Sequence, residues 1–452
     1  MYRFRALGFL AALAGVACAA DASYFRDVRP ILQRSCQGCH QPNLKSSDLD
    51  LTTFEGLTAG GKHGAPIKSG APADSLLVKY LTGDMKPRMP MGQPAIPADQ
   101  VELVRNWITA GAKDDTPPEA KDTISFDKPI TYTQPPVITA LAFSPDGFML
   151  AASGYREILL IPSSGTAPAK RLVGMSERIQ SLTFSADGAL LVAAGGTPAR
   201  FGEVQFWDAR NAKMLRSVTL TGDTLFGATL SPDASQVAVG CTDNTVRILD
   251  AHSGKELHKI TAHENWVLGA IFGKDGKRIV TVGRDRAAKL TDATSGAFLE
   301  NVNLLRGELS AIARDPAKDV IVIGGEDRIP YIYLMDRPKN MKIADDTTLI
   351  RRLEPQQGPI FALSWSPDGK YIAVAGVSPE VTVYDAASGQ RVAACKGHAA
   401  GIYATAWSPD SRILVTGGFD GKVRAYEAQT GRLVRDFIPV PIEVTSARGA
   451  QP

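Results

Sequence analysis

Ile360-Phe361-Ala362-Leu363-Ser364-Trp365-Ser366-Pro367-Asp368-Gly369-Lys370-Tyr371-Ile372-Ala373-Val374-Ala375 decides how most of this chain folds. An apolar run, a Ser-Pro-Asp-Gly turn and a β-rich run read as two antiparallel strands joined by a tight turn. A third strand follows at Val381-Thr382-Val383-Tyr384-Asp385, then a Ser-Gly turn and a fourth strand. Related turns begin at Ser144, Ser185, Ser231, Gly273, Asp315, Ser366 and Ser408, at intervals of 41 to 51 residues that average 44. That period belongs to four-stranded propeller blades. Seven such units predict an all-β seven-bladed propeller, which leaves only short, protected edges. The alternative is eight blades, with a degenerate first unit from Ile124 to Thr133; those residues would otherwise close the ring as an extra strand.

The rest of the chain belongs to another class. With 452 residues, 44% apolar and 21% charged, the chain reads as soluble, globular and multi-domain, which excludes collagen-like, coiled-coil and disordered classes. The formal charge of +3 gives no electrostatic footprint for nucleic acid. Arg3 and Arg5 precede the apolar run Leu7 to Val16, with small residues at Ala17 and Ala19, so residues 1–19 read as a secretory signal and the chain as periplasmic or otherwise exported. Cys18 offers a rival reading as a lipid-anchor site, although Gly15 stands where such a signal usually carries a branched apolar residue. No later stretch approaches 18 apolar residues, so no transmembrane segment is expected.

Cys36-Gln37-Gly38-Cys39-His40 is the attachment pattern of one covalent haem c. Two thiols three positions apart reach the two vinyl groups on one porphyrin edge, and His40 presents its imidazole to the iron from the same turn. A zinc knuckle or a redox dithiol would use Cys-x-x-Cys too, but a zinc knuckle would need a second pair, which is missing. The second axial ligand comes from Met89, Met85, Met91 or His63, and Met89 is placed best, in the proline-pinned loop Pro87-Arg88-Met89-Pro90-Met91-Gly92. Phe25, Val28, Ile31 and Leu32 lie near helical spacing behind Ser23, an N-cap candidate, with Pro30 bending or interrupting the segment. Val101, Val104, Trp107 and Ile108 fit one face of a helix opened near Pro97 and ended by Gly111. Tyr80 and Trp107 are candidate walls of the cofactor site.

Residues 23–112 resemble the planctomycete-type cytochrome, a small all-α domain similar to class I cytochromes c. The resemblance rests on Val28-Arg29-Pro30-Ile31-Leu32, Cys36 to His40, Leu49-Asp50-Leu51, Gly60-Gly61, the stretch Gly70 to Leu77, Arg88-Met89-Pro90, and Trp107-Ile108 before Gly111. It implies that the axial methionine lies in the Met-Pro element, at Met89. Residues 137–440 resemble WD-repeat propellers: Trp207-Asp208 ends a third strand, and Gly397-His398 matches the Gly-His element. The resemblance implies hydrogen-bond chains through His398, Thr416 and Asp420 and through His263, Thr281 and Asp285, structural despite their likeness to a catalytic triad.

Residues 113–136, rich in proline, read as a linker or strap, and 441–452 as a tail. Cys241 and Cys395 fall nearly opposite each other in the expected ring, too far for a disulfide, and read as buried free thiols. The long intervals mark insertions at Thr197 to Gly202 and Arg337 to Thr348, where Arg200, Phe201, Arg337, Lys339 and Lys342 are candidates for binding. Lys86 and Arg88, beside the ligand loop, could orient a partner or pair with a propionate. Residues 23–111 hold ten basic and eight acidic side chains, so strong charge steering is not expected. Two functions compete: an electron carrier whose propeller docks a redox partner protein, and an oxidoreductase whose propeller channel holds a substrate while the haem relays electrons. The carrier is favoured, because an iron closed by His and Met leaves no position for substrate. A redox or haem-linked sensor would use the same parts.

Overall fold

Ser23 starts the helical part: its Oγ accepts from the Arg26 N–H at 2.9 Å and opens a π-helical turn, Tyr24–Val28. In this computed structural model, which describes residues 22–443 except 43, 121–129, 166–167, 339 and 343–345, that turn runs directly into α1, Arg29–Ser35. Pro30 sits in the first turn of α1, where its missing N–H leaves no bond unmade, so the expected bend is a change of helix type rather than a break. The secretory pattern with Cys18, residues 124–129, Lys339 and residues 444–452 lie outside the described residues. Three further helices follow: α2, Phe54–Ala59, capped by Thr53; α3, Leu76–Thr82; and α4, Ala98–Thr109. The chain leaves α4 through Gly111 at φ +102, a conformation that only glycine adopts without strain.

α4 turns Val101, Val104, Trp107 and Ile108 inward, the stripe its 3.6-residue period requires. They join Tyr24, Leu32, Cys36, Leu51 and Leu77 in one apolar cluster. The Tyr24 ring stands 5.1 Å from Phe54 and 5.4 Å from Trp107. The start of the proline-rich stretch then lies along this unit, since the Trp107 Nε1–H donates to the Lys113 carbonyl at 2.9 Å and the Phe25 N–H to Asp115 at 2.8 Å.

From Leu141 onward the chain is β. The described residues form one seven-stranded antiparallel sheet, 141–221, and five four-stranded sheets, 225–260, 267–301, 309–352, 360–395 and 402–437. Within the larger sheet, the 15-residue strand Lys170–Phe184 pairs through its first half with Tyr155–Pro162 and through its second with Leu190–Thr197. The first strands of successive sheets pack side by side, and Ile402–Trp407 returns to Leu141–Phe143, so the array closes on itself. Ile138 donates its N–H to the Gly418 carbonyl across that seam. Tyr132 and Ile442 meet in an isolated parallel bridge, bringing the two ends of the β region together.

The recurring turns explain the sequence period. In Ser366-Pro367-Asp368-Gly369, the buried Ser366 Oγ donates to Asp368 at 2.7 Å and accepts from the Tyr371 N–H at 2.9 Å, while Gly369 takes φ +75. The turns at Ser144, Ser185, Ser231 and Ser408 make the same pair of bonds. Each joins the first strand of its unit to the second. Cys241 and Cys395 are buried free thiols, as read from the sequence. The insertion near Thr197 is a lengthened hairpin, Leu190–Thr197 with Phe201–Asp208, and Phe201 belongs to the buried core rather than to a binding loop. Arg337 is tied to Glu300 at 3.1 Å and to the Met341 carbonyl.

Candidate functional site

α1 delivers Cys36. The Cys36 N–H donates to the Leu32 carbonyl at 2.9 Å, and the chain then coils so that the Cys39 and His40 N–H groups both reach the Cys36 carbonyl, at 3.2 and 3.0 Å. Both thiols and the imidazole thus hang from a single turn. Its far end is fixed by Leu51 N–H to His40 O at 2.9 Å and by the buried Gln37, whose Nε2 donates to the Leu51 carbonyl at 2.9 Å. Cys36 points into the apolar cluster, and burial pushes its thiol up to about 12. Cys39 is exposed.

Burial lowers the His40 pKa from its ordinary value, against a lesser pull from the nearby backbone at Ser46 and Leu49. A histidine held neutral is the form that ligates a metal. Its Nδ1 is buried and has no hydrogen-bond partner in the protein, a cost that a native interior seldom carries without a reason. Among the four candidates for the second ligand, only Met89 packs on the cluster that holds Cys36. Its N–H donates to the Tyr80 carbonyl at 3.0 Å, fixing the loop against the end of α3. Met91, two residues on, is 68% exposed, His63 is exposed, and Met85 is half-buried outside the cluster. Arg88 folds back on its own loop, donating to the Gln93 carbonyl at 3.4 Å, and Lys86 is exposed. Of the two candidate walls, Trp107 is buried in the cluster and Tyr80 only partly covered.

Sequence reading did not anticipate that the turn lies against the β region. Gly38 and α1 meet the strand Lys213–Thr221, and Leu44 packs on the cluster that contains Trp207 and Met214. The signal was present only in Gly38, a spacer position at which any residue would satisfy the attachment pattern.

Comparison with known proteins agrees with this division. Residues 36–91 match the family Planctomycete cytochrome C, and residues 254–292, 347–385 and 389–427 match the WD domain, G-beta repeat. The chain fuses a cytochrome c-like domain to a WD-repeat region. Similar curated proteins include an uncharacterised WD repeat-containing protein of Schizosaccharomyces pombe, 35% identical over 79 residues, which are 18% of this chain and 12% of that protein. Coronin-7 of Bos taurus is 36% identical over 122 residues, 25% of this chain and 13% of that protein. The chain therefore spans about an eighth of the length of these relatives.

The first strands of the WD-repeat region enclose a channel of about 740 Å³, lined among others by Gln180, Thr183, Phe226, Arg284, Glu308 and Tyr403. Both His-Thr-Asp triplets assemble as expected. His263 Nε2 lies 2.7 Å from Thr281 Oγ1 and its Nδ1 2.9 Å from Asp285, and His398 Nε2 lies 2.7 Å from Thr416 Oγ1. Thr281 and Thr416 are buried, so neither hydroxyl is open to a substrate. Among the described residues, no three His, Cys, Asp or Glu side chains converge as a metal-holding group, and no helix is long and apolar enough to cross a membrane.

Proposed function

We propose that this chain is an exported electron-transfer protein, a c-type cytochrome with one covalent haem whose seven-bladed propeller docks a redox partner protein. The observation that carries this reading is that Cys36 is buried in an apolar cluster on which Met89 packs, while His40, on the same turn as Cys36, has a buried ring nitrogen without a partner. Soft sulfur and imidazole donors in an apolar setting suit haem iron. Cys36 and Cys39 would hold the group as thioethers, and His40 and Met89 would close the iron on its two faces. Haem, when bound, supplies a one-electron iron couple. The protein's part is to exclude water with Leu32, Leu51 and Trp107, to keep His40 neutral, and to hold Met89 through its bond to Tyr80.

The count of seven blades takes the strand Lys170–Phe184 as the outer strand of one blade and the inner strand of the next. The secretory pattern at residues 1–19 supports export, which such a cofactor would suit. An oxidoreductase with its substrate in the channel remains the competing function, and one comparison separates them. If turnover of any small molecule requires residues 137–440, the enzyme reading replaces the carrier. The carrier reading itself is tested by spectra of protein made in a host that installs haem c. Wild type is expected to show c-type bands with a weak long-wavelength sulfur-to-iron band, which Met89→Ala loses. A colourless protein overturns the reading, and an unchanged Met89→Ala spectrum removes Met89 as ligand.

A further inference from the structure

The strand Lys213–Thr221 ends the seven-stranded sheet, and among the described residues no further strand pairs with its outer edge. Such edges are usually short, charged or covered. Here the cover is the cytochrome-like domain. α1 lies on this strand, and Gly38 approaches so closely that a Cβ at that position would stand 2.3 Å from the Ser217 carbonyl oxygen. Gly38 does not have a positive φ, so its lack of a side chain serves the approach and not the backbone conformation. Leu44, just beyond the attachment turn, seats on the apolar cluster with Trp207 and Met214 and completes the contact.

Arg216 precedes Ser217 on that strand. Its guanidinium stacks 5.3 Å from the centre of the Phe206 ring and donates to the Ala251 carbonyl at 2.5 Å, which fixes its position. It is half-buried and lies within electrostatic reach of both the Asp250 carboxylate and the Cys39 sulfur. A fixed cation therefore stands at the side of the turn that carries one of the two thioether positions.

We infer, resting on the haem reading above, that the edge strand Lys213–Thr221 is a lid over the cofactor attachment turn and that Arg216 sets the reduction potential of that cofactor from the WD-repeat region. Uptake of one electron lowers the charge of the group by one, and a nearby, partly desolvated cation favours the lower-charge state. Arg216 thus raises the potential. Both domains are needed for the working value, and Arg216 acts through its charge, without ligating anything.

The test is a redox titration of the full chain carrying haem, as wild type, Arg216→Gln, Arg216→Lys and Gly38→Ala. Arg216→Gln is expected to shift the midpoint negative, Arg216→Lys to stay near wild type, and the difference between them to shrink as salt rises. Gly38→Ala lifts the turn from Ser217 and moves the midpoint the same way, and Gly38→Ala with Arg216→Gln shifts it by less than the sum of the two, because both remove the same contact. Equal potentials for Arg216→Gln and wild type overturn the inference while the c-type bands leave the haem reading standing. Equal shifts for Arg216→Lys and Arg216→Gln overturn the charge argument. A wild-type protein without those bands overturns both.

Discussion

His263 and His398 occupy equivalent places in their repeats, yet they are wired differently. His263 faces Asp285 through Nδ1, and Lys289 lies 3.3 Å from the same carboxylate. At His398 the Arg424 guanidinium lies 2.8 Å from Nδ1 and donates to Asp420 at 2.7 Å, while the other Asp420 oxygen stands 3.3 Å from the same Nδ1 and Nε2 lies 2.7 Å from Thr416. Burial and the Arg424 charge accordingly push the His398 pKa down, against the pull of Asp420. Asp285 gives a pH prediction with a definite sign. Burial would raise its carboxyl, but the His263 hydrogen bond and charge, the Glu264 N–H and Lys289 together hold it at about 2, against an ordinary 3.8. On lowering the pH the unfolded chain takes up the proton first, so the stabilisation is complete above about pH 4 and is lost as pH falls towards 2. Asp285→Asn should lower the unfolding free energy by about 2 kcal/mol at neutral pH. Urea titrations are expected to show wild type and variant converging between pH 4 and pH 2, and a gap that stays constant across that window would show that the fold does not hold the Asp285 carboxyl down.

Each Ser-Pro-Asp-Gly turn works as a unit in which one hydroxyl bonds both to an Asp two residues on and to an N–H five residues on, locking the first strand of a blade to the second. Ser366 is fully buried, so Ser366→Ala leaves the Tyr371 N–H without its partner inside the turn and is expected to cost about 1–2 kcal/mol. A lower urea midpoint with an unchanged slope is the expected result; a changed slope would mean that the turn also shapes the unfolded state or that unfolding is no longer two-state. These turns were legible in the sequence because their chemistry is local, four residues long and repeated. The turn from Cys36 to His40 was legible for the same reason, as were the Ser23 cap and the inward stripe of α4. The pairing of Trp207, Gln205 and Glu203 was not. Trp207 Nε1 donates to Gln205, Gln205 Nε2 donates to Glu203, and Ser176 and Ser217 also donate to that buried carboxylate. Ser217 comes from the neighbouring strand and Ser176 from Lys170–Phe184, two strands away in the sheet, and nothing in their local pattern distinguishes them from any other strand serine. This network takes the place of the His-Thr-Asp chain in its repeat, and it backs the strand on which Gly38 rests.

The same distinction governs how the parts are joined. Local motifs announce two domains, whereas the contacts that fix the chain's long segments depend on partners that no local pattern marks. Residues 113–115 look like linker by composition, yet they supply the acceptors for Trp107 and Phe25 and so belong physically to the helical unit. At the other end of the linker, Tyr132 reads as one more polar-flanked aromatic, but its hydroxyl donates to the buried Glu157 at 2.7 Å and accepts from the Tyr155 N–H at 3.1 Å. Arg171 grips the same carboxylate at 2.6 and 2.8 Å and stacks over the Tyr132 ring. Beside it the backbone of Tyr132 receives the Glu443 N–H at 2.8 Å, and Val440 and Ile442 pack into the cluster with Ile130 and Tyr132. The ring is therefore tied by both ends of the β region at one place, next to the seam between Leu141–Phe143 and Ile402–Trp407. Tyr132→Phe keeps the ring packing but deprives Glu157 and the Tyr155 N–H of a partner, and should cost about 1–3 kcal/mol. Truncation after Pro439 should cost a comparable amount by removing Val440, Ile442 and the Glu443 bond. If both act on one closure, the cost of the two changes together will fall short of their sum, and hydrogen exchange will rise first in Leu141–Phe143 and Ile402–Trp407. Strictly additive costs, with protection at that seam unaltered, would show that the ring holds without this clasp.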